Sequence, residues 1–256
     1  MPHAPGAGAG PRRVVFSPHL DDAALSASIR LMEPDTQVVT VFAGPPPEDV
    51  GLTAYDRLTG ARSSASRFAA RLAEDERAMA AMSCRVRRLS ELDEQYRRAP
   101  LDQERLAAAL GPYVDGAAEI WAPAGIGGHV DHVATRDAVI AAIRGRNISP
   151  ELFLYADIPY SLRFGWPSWV TGRPDSAYLD LGFWFDQELS ACGLDPESLE
   201  AGVFPLDTEM RRSKERAALA YESQLPSLRL GPGNPLRWDA FLRYEVAWRL
   251  PLGTLR

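Results

Sequence analysis

The sequence predicts an α/β fold: a Rossmann-like, mostly parallel sheet with helices on both faces and a C-terminal capping segment. Three observations carry this. Short β-branched runs alternate with stretches of helical periodicity from residue 12 to residue 160. The first of these runs close on Gly or Pro, as buried strands entering turns do. The 256 residues hold enough apolar side chains for one sizeable core and too few for two full domains. The expected layout is a flexible tail over 1–12, "MPHAPGAGAGPR", and a single domain over 13–256 in which 159–205 covers the substrate.

Taken in order, "RRVVF" (12–16) and "TQVVTVFAG" (36–44) are strands, with "DDAALSASIRLM" (21–32) as the helix between them; together they form a βαβ unit. "ARSSASRFAARLAEDERAMAAM" (61–82) is a long helix, with Ala65, Phe68, Ala69 and Leu72 at i, i+3, i+4, i+7 and Met79 and Met82 continuing that face. A strand "CRVRRLS" (84–90), a helix "LDQERLAAALGPYV" (101–114) and a strand "AEIWAPAG" (118–125) follow. Next come a helix "DHVATRDAVIAAIRG" (131–145) and a strand "ELFLYADIPY" (151–160). Beyond Pro159 the Pro, Gly and Trp-rich stretch "SLRFGWPSWVTGRPDSAYLDLGFWFDQ" (161–187) reads as irregular structure or short strands over the site. "TEMRRSKERAALAYESQ" (208–224) is helical, and "FLRYEVAWRL" (241–250) is a strand with Leu242, Tyr244, Val246 and Trp248 on one face.

In an open parallel sheet the ligand lies outside the carboxyl ends of the strands. There "SPHLDD" (17–22), "FAGPPP" (42–47), "PAGIGGHVDH" (123–132) and "ADIPY" (156–160) converge. A dinucleotide is disfavoured, because no GxGxxG follows the first strand. The net charge of -6 and the lack of basic runs disfavour nucleic acid and anionic membrane, and no segment is long and apolar enough to span a bilayer. Cys84 and Cys192 are isolated and belong to no CxxC spacing, which suits a reducing cytoplasm. A small-molecule partner is expected.

Three of the four histidines fall in two short clusters that also carry aspartate: His19 in "PHLDD", and His129 with His132 in "GGHVDH". Imidazole and carboxylate are the ligands Zn²⁺ accepts besides thiolate, and a catalytic zinc takes three protein ligands and keeps one position open. His19, Asp22 and His132 supply such a set. Asp21, beside it, is the expected general base for a water whose pKa the metal lowers to about 7. Asp131 is expected to pair with His129 and hold it as a cation for the developing oxyanion. Each cluster alone also fits a helix N-cap and a hydrogen-bonded structural histidine. Their joint placement at strand ends favours the metal site.

These residues resemble the LmbE/PIG-L family of zinc-dependent N-deacetylases, which act on N-acetylglucosamine attached to inositol, malate or glycopeptide scaffolds. Of the family's first motif, Ala or Ser followed by His-Pro-Asp-Asp-Glu, "SPHLDD" keeps the His and both Asp, and its His-x-Asp-His is present as "HVDH". "RLAE" (71–74) is similar to its Arg-x-x-Glu helix, "LYADIPY" (154–160) to its strand ending in Pro-Tyr, and "KERAALAYESQ" (214–224) to its late helix. Leu20 and Ala23 depart from the family's Pro and Glu. The resemblance implies the roles already given to His19, Asp22, His132, Asp21, His129 and Asp131, a bound Zn²⁺ with Fe²⁺ or another divalent ion as the alternative, and an N-acetylated amino sugar or related small metabolite as substrate. It also implies a homo-oligomer as one assembly.

Further candidates for substrate binding are Arg71, Asp157, Tyr160 and Trp166. Against them stand a solvated Arg71–Glu74 helix pair, simple packing of Tyr160 beside Pro159, and a small aromatic core of Phe164, Trp166 and Trp169. Lys214 to Gln224 reads as a structural helix whose Ser223 and Gln224 fix a turn. An amidase acting on a larger conjugate, a metal phosphoesterase and a non-catalytic sugar-binding protein of the same fold remain open as alternatives.

Overall fold

The computed structural model describes residues 12–163, 166–172 and 195–255. Its strands are β1 (Arg13–Ser17), β2 (Thr36–Thr40), β3 (Arg85–Arg88), β4 (Glu119–Pro123), β5 (Glu151–Tyr155), β6 (Glu200–Pro205) and β7 (Tyr244–Leu250). They form a seven-stranded sheet in the order β3-β2-β1-β4-β5-β7-β6. β1 to β5 run parallel, and β7 and β6 close one edge antiparallel. The predicted α/β class and mostly parallel sheet are thus observed.

Residues alternate across a strand, so a strand buried on both faces must be apolar throughout. β1 meets that condition with Val14, Val15 and Phe16, all fully buried. Val14 and Phe16 share a core with Leu106, Leu110 and Val114 of the helix Gln103–Val114 and with Val139 and Ile143 of the helix Val130–Arg144. Val15 faces the other way, toward Ala23, Leu31, Met79 and Ala217. Those come from the helices Asp22–Ser26, Ser28–Leu31, Ser64–Ala81 and Thr208–Leu219. Helices therefore cover both faces.

Three elements differ from expectation. The helix expected over 21–32 is broken at Ala27, because the Glu245 carboxylate of β7 accepts from Ser28 N at 2.9 Å and Ile29 N at 3.0 Å. A carboxylate on those amides starts a new helix there. The helix Ser64–Ala81 buries Ser64, Arg67, Arg71, Glu74, Asp75, Ala78 and Met79, whereas Ala65 and Ala69 of the expected apolar face are exposed. Ahead of Ala78 and Met79, which join the core, its inner side meets polar partners: Arg71 pairs with Asp93, Asp75 with Arg88, and Glu74 with Ser223. Leu242 lies in the helix Pro235–Arg243, so the strand begins only at Tyr244.

Within 159–205, Tyr160–Leu162 is a single 3₁₀ turn, Ser168–Thr171 a short helix, and Glu200–Pro205 the edge strand β6, which lies in the sheet instead of covering a site. Residues 164–165 and 173–194 of that segment and the expected tail up to residue 11 lie outside the described residues, Phe164 and Cys192 among them. Among the described residues no helix is long and apolar enough to cross a membrane. The sheet order reverses between β1 and β4, which places the loops after these two neighbouring strands at a topological switch point.

Candidate metal centre and active-site cavity

The turn after β1 is tied by Ser17, whose Oγ donates to His19 O at 2.6 Å and accepts from Ala23 N at 2.9 Å. His19 N in turn donates to Asp22 Oδ2 at 2.8 Å. These bonds fold residues 17–23 so that His19 and Asp22 face the same point. After β4 the chain passes through Gly127 at φ +92, where a Cβ would come within 2.6 Å of the Tyr160 ring; glycine is required by both backbone and space. His129 then caps the helix Val130–Arg144, which carries His132 on its first turn.

Asp22 Oδ2 lies 3.2 Å from His19 Nδ1 and 3.4 Å from His132 Nε2. Ligand atoms of the three residues all fall within 4.8 Å of one another, and all three side chains are buried. Two ligands on a tetrahedral ion with bonds of about 2.0–2.1 Å stand roughly 3.3 Å apart, so this donor set fits a divalent metal. The outward ring nitrogens fit as well: His19 Nε2 lies 3.0 Å from Asp131 Oδ2, and His132 Nδ1 lies 2.7 Å from Asp157 Oδ1. Carboxylates in that position fix the tautomer and orientation of ligating histidines. Burial works against charge on His19, but Asp93, Asp131 and Asp22 outweigh it and raise its pKa. The site's field favours a cation.

A second grouping, His19, His129 and Asp131, also brings its ligand atoms together. Its members are committed elsewhere. Asp131 pairs with Arg97 Nη1 at 2.6 Å and accepts from Glu94 N at 2.9 Å, and His129 Nδ1 accepts from Asp131 N at 3.2 Å.

This geometry corrects the expected pairing of Asp131 with a cationic His129. The Asp131 carboxylate serves His19 and Arg97, and only its main-chain N–H reaches His129. With Nδ1 accepting, the His129 proton sits on Nε2. Burial and the neighbouring charges of His19 and His132 lower its pKa to about 4. His129 is a neutral donor at neutral pH.

The centre opens into a cavity of about 610 Å³ that is lined by His19, Asp21, Asp22, Arg71, His129, His132 and Tyr160, among others. Asp21 is 6 % exposed, and its pKa is raised by burial and by the Asp22 charge, with Arg71 opposing. Arg71 Nη2 lies 3.8 Å from Asp21 Oδ1, and Arg71 Nη1 lies 3.2 Å from Asp93 Oδ2. The solvated Arg71–Glu74 pair is therefore replaced by two separate partnerships: Arg71 faces the cavity, and Glu74 accepts from Ser223 N and Oγ. Tyr160 sets its ring edge-on to His132 at 5.7 Å.

Two substrate candidates move out of the cavity. Asp157 is fully buried behind His132 and also accepts from Ile126 N at 2.9 Å, so it supports the centre instead of contacting substrate. Trp166 packs in the main core and donates from Nε1 to Ala240 O, while Trp169 meets Trp248 edge-on. The Trp166 indole is committed to packing, whereas Trp169 is 43% exposed and does not line the cavity. Ala23 lies in the apolar cluster of the sheet's second face, so a short side chain there packs and removes nothing from the cavity wall. Leu20 is buried, and its carbonyl accepts from Tyr221 Oη.

Sequence reasoning missed Asp93, Tyr55, Gln95 and Gln224, all of which line the cavity. Asp93 follows β3 in "LSELDEQY", and the topology rule that located the other loops at the carboxyl ends of strands would have found it.

Comparison with known proteins agrees with this geometry. The family described as PIG-L, GlcNAc-PI de-N-acetylase, matches residues 14–143. No curated protein matches the chain. Among solved structures, the zinc-inhibited form of teicoplanin deacetylase Orf2 superposes with a TM-score of 0.69 at 24% identity, covering 93% of this chain and 97% of that one. The A40926 pseudoaglycone deacetylase Dbv21 gives a TM-score of 0.65 at 26% identity, covering 93% and 96%. The conserved protein TT1542 from Thermus thermophilus shares the fold with a TM-score of 0.50 at 17% identity, covering 89% and 85%. With the family's match spanning both histidine clusters and the strands that present them, the chain belongs to the PIG-L, GlcNAc-PI de-N-acetylase family.

Proposed function

We propose that this protein is a metal-dependent N-deacetylase that hydrolyses the N-acetyl or related N-acyl group of an amino sugar, borne by a glycosylated metabolite of specialised metabolism. The observation that carries this reading is Asp21 standing at the cavity wall beside the His19, Asp22 and His132 donor set. The likeness to the teicoplanin and A40926 deacetylases supports the substrate class. Zn²⁺ is the ion proposed, with Fe²⁺ as the rival, and the isolated cysteines favour the cytoplasm.

A divalent ion held by His19, Asp22 and His132 supplies Lewis acidity for the amide carbonyl and lowers the pKa of a water. Asp21 accepts that water's proton; its raised pKa is the shift a base working near neutral pH requires. Asp21 then delivers the proton to the departing nitrogen, so that acetate and the free amine leave. His129 offers its Nε2 proton to the oxygen that gains negative charge. Arg71 keeps Asp21 oriented and, with Asp93, presents a donor and an acceptor to the sugar hydroxyls.

The test is metal content of chelator-free protein by mass spectrometry, together with acetate release from N-acetylglucosaminides. About one divalent ion per chain and metal-dependent acetate release are expected. A protein that neither holds nor takes up zinc, iron or another divalent ion would sink the reading.

A further inference from the structure

Besides Arg71, three further arginines line the same cavity as the metal donor set: Arg163, Arg229 and Arg237. They come from three separate places, the turn after Tyr160–Leu162, the end of the helix Leu225–Leu228 and the first turn of the helix Pro235–Arg243. Chain-distant cations brought to one wall are not the by-product of a single solvated helix face.

Arg237 is held in place by main-chain carbonyls alone, Nη2 donating to Pro159 O at 2.9 Å and Nη1 to Arg229 O at 3.4 Å. Its Nε is buried and makes no hydrogen bond. Among the described residues, no carboxylate pairs with Arg229 or Arg237. Burial and the nearby charges of Arg229 and Arg163 lower the pKa of Arg237, so the electrostatic neighbours acting on it are repulsive. Two guanidinium groups held at a cleft wall without a carboxylate mark a place that receives an anion.

The site also lies beside the metal centre. Pro159, which anchors Arg237, directly precedes Tyr160, whose ring touches His132. Arg163 N donates to Tyr160 O at 3.1 Å. A sugar whose N-acyl group reaches the metal donors therefore directs another part of itself at the guanidinium groups.

We infer that Arg229 and Arg237 form an anion subsite, and that the substrate is an N-acyl amino sugar carrying a carboxylate or phosphate on the sugar or its immediate substituent. The planar guanidinium fork suits either oxyanion. This rests on the deacetylase reading for the part of the cavity next to the metal donors.

The test is calorimetric titration of the zinc-loaded full chain with N-acetylglucosamine and three anionic probes: its 1-phosphate, its 6-phosphate and N-acetylglucosaminuronic acid. Acetate release is followed in parallel. At least one anionic probe should bind about tenfold more tightly than the neutral sugar, in keeping with charge-assisted bonds to Arg. The ratio should fall toward one in Arg237→Gln and in Arg229→Gln. Arg229 is exposed, so that variant keeps the test valid if Arg237→Gln fails to fold. Preference for the phosphates alone or the uronic acid alone names the source of the charge.

Equal affinity for all probes would overturn the subsite. So would a preference that survives in Arg229→Gln, or inorganic phosphate binding as tightly as the sugar phosphates. The two readings fail separately. An anion preference without acetate release keeps the subsite and removes the deacetylase, while acetate release with no preference does the reverse.

Discussion

Asp157 Oδ1 lies 2.7 Å from His132 Nδ1, and this contact turns the other nitrogen of the ring toward Asp22 Oδ2 at 3.4 Å. The aspartate after β5 is thus a support for the centre, and the loop that carries it also holds Tyr160 against the cavity. Asp157→Asn keeps the volume but removes the charge that orients and strengthens the imidazole. Metal affinity should fall about 10–100-fold, read by competition with a chromogenic chelator. His132→Ala should lose the metal altogether. An unchanged affinity in Asp157→Asn would mean that packing alone orients the ring.

Asp21 separates metal binding from turnover. Asp21→Asn leaves the His19, Asp22 and His132 donors in place, so metal content should persist while kcat falls about 10²–10⁴-fold, the usual worth of a positioned base. Its pH dependence has a definite sign. Burial and Asp22 raise the Asp21 pKa above the ordinary carboxylate value of about 3.9, and the base works only when ionised. Activity should be lost as pH falls through that raised value, placing the acid limb of kcat/KM above the ordinary range. Full turnover in Asp21→Asn, or a limb near the ordinary value, would remove the assignment.

Arg71 tests the same carboxylate from the other side. Its guanidinium opposes the rise in the Asp21 pKa and lies 3.8 Å from Oδ1. In Arg71→Gln that opposition is gone, so the acid limb should move to higher pH and kcat/KM at neutral pH should drop. A change in KM with the limb unmoved would assign Arg71 to sugar binding alone.

How much of this was legible depends on what kind of signal each residue carries. His19, Asp22 and His132 were readable because metal ligands need particular side-chain types at the carboxyl ends of strands, and both constraints are written locally. The partnership of Asp131 was not. Its carboxylate had two imidazoles within reach, and only the helix geometry, with His129 as N-cap and Arg97 arriving from a distant turn, decides for His19. The inner face of Ser64–Ala81 was misread for a related reason. Periodicity locates an apolar face, whereas here partners from Arg88, Asp93 and Ser223 allow a charged face to be buried. The arginine subsite gave no sequence signal, because its members are brought together only by the fold.

The last prediction concerns the fold behind the site. Lys214 and Glu245 have side chains 0% and 1% exposed and pair at 2.8 Å. Glu245 also accepts from Ser28 N, Ser28 Oγ and Ile29 N, so one carboxylate ties β7 to the helix Ser28–Leu31, the second after the metal-binding turn. The Lys214 ammonium lies 4.3 Å over the Phe241 ring, which adds a cation–π contact. Replacing two buried charges together with apolar groups is often neutral, but removing one strands the other. Lys214→Met should therefore cost about 3–5 kcal/mol in urea unfolding. Lys214→Met combined with Glu245→Gln should recover part of that loss, since no bare charge is left. A cost below about 1 kcal/mol for Lys214→Met would show that the hydrogen bonds from Ser28 and Ile29 suffice to satisfy the Glu245 carboxylate, and that the helix start and not the lysine anchors this corner of the sheet.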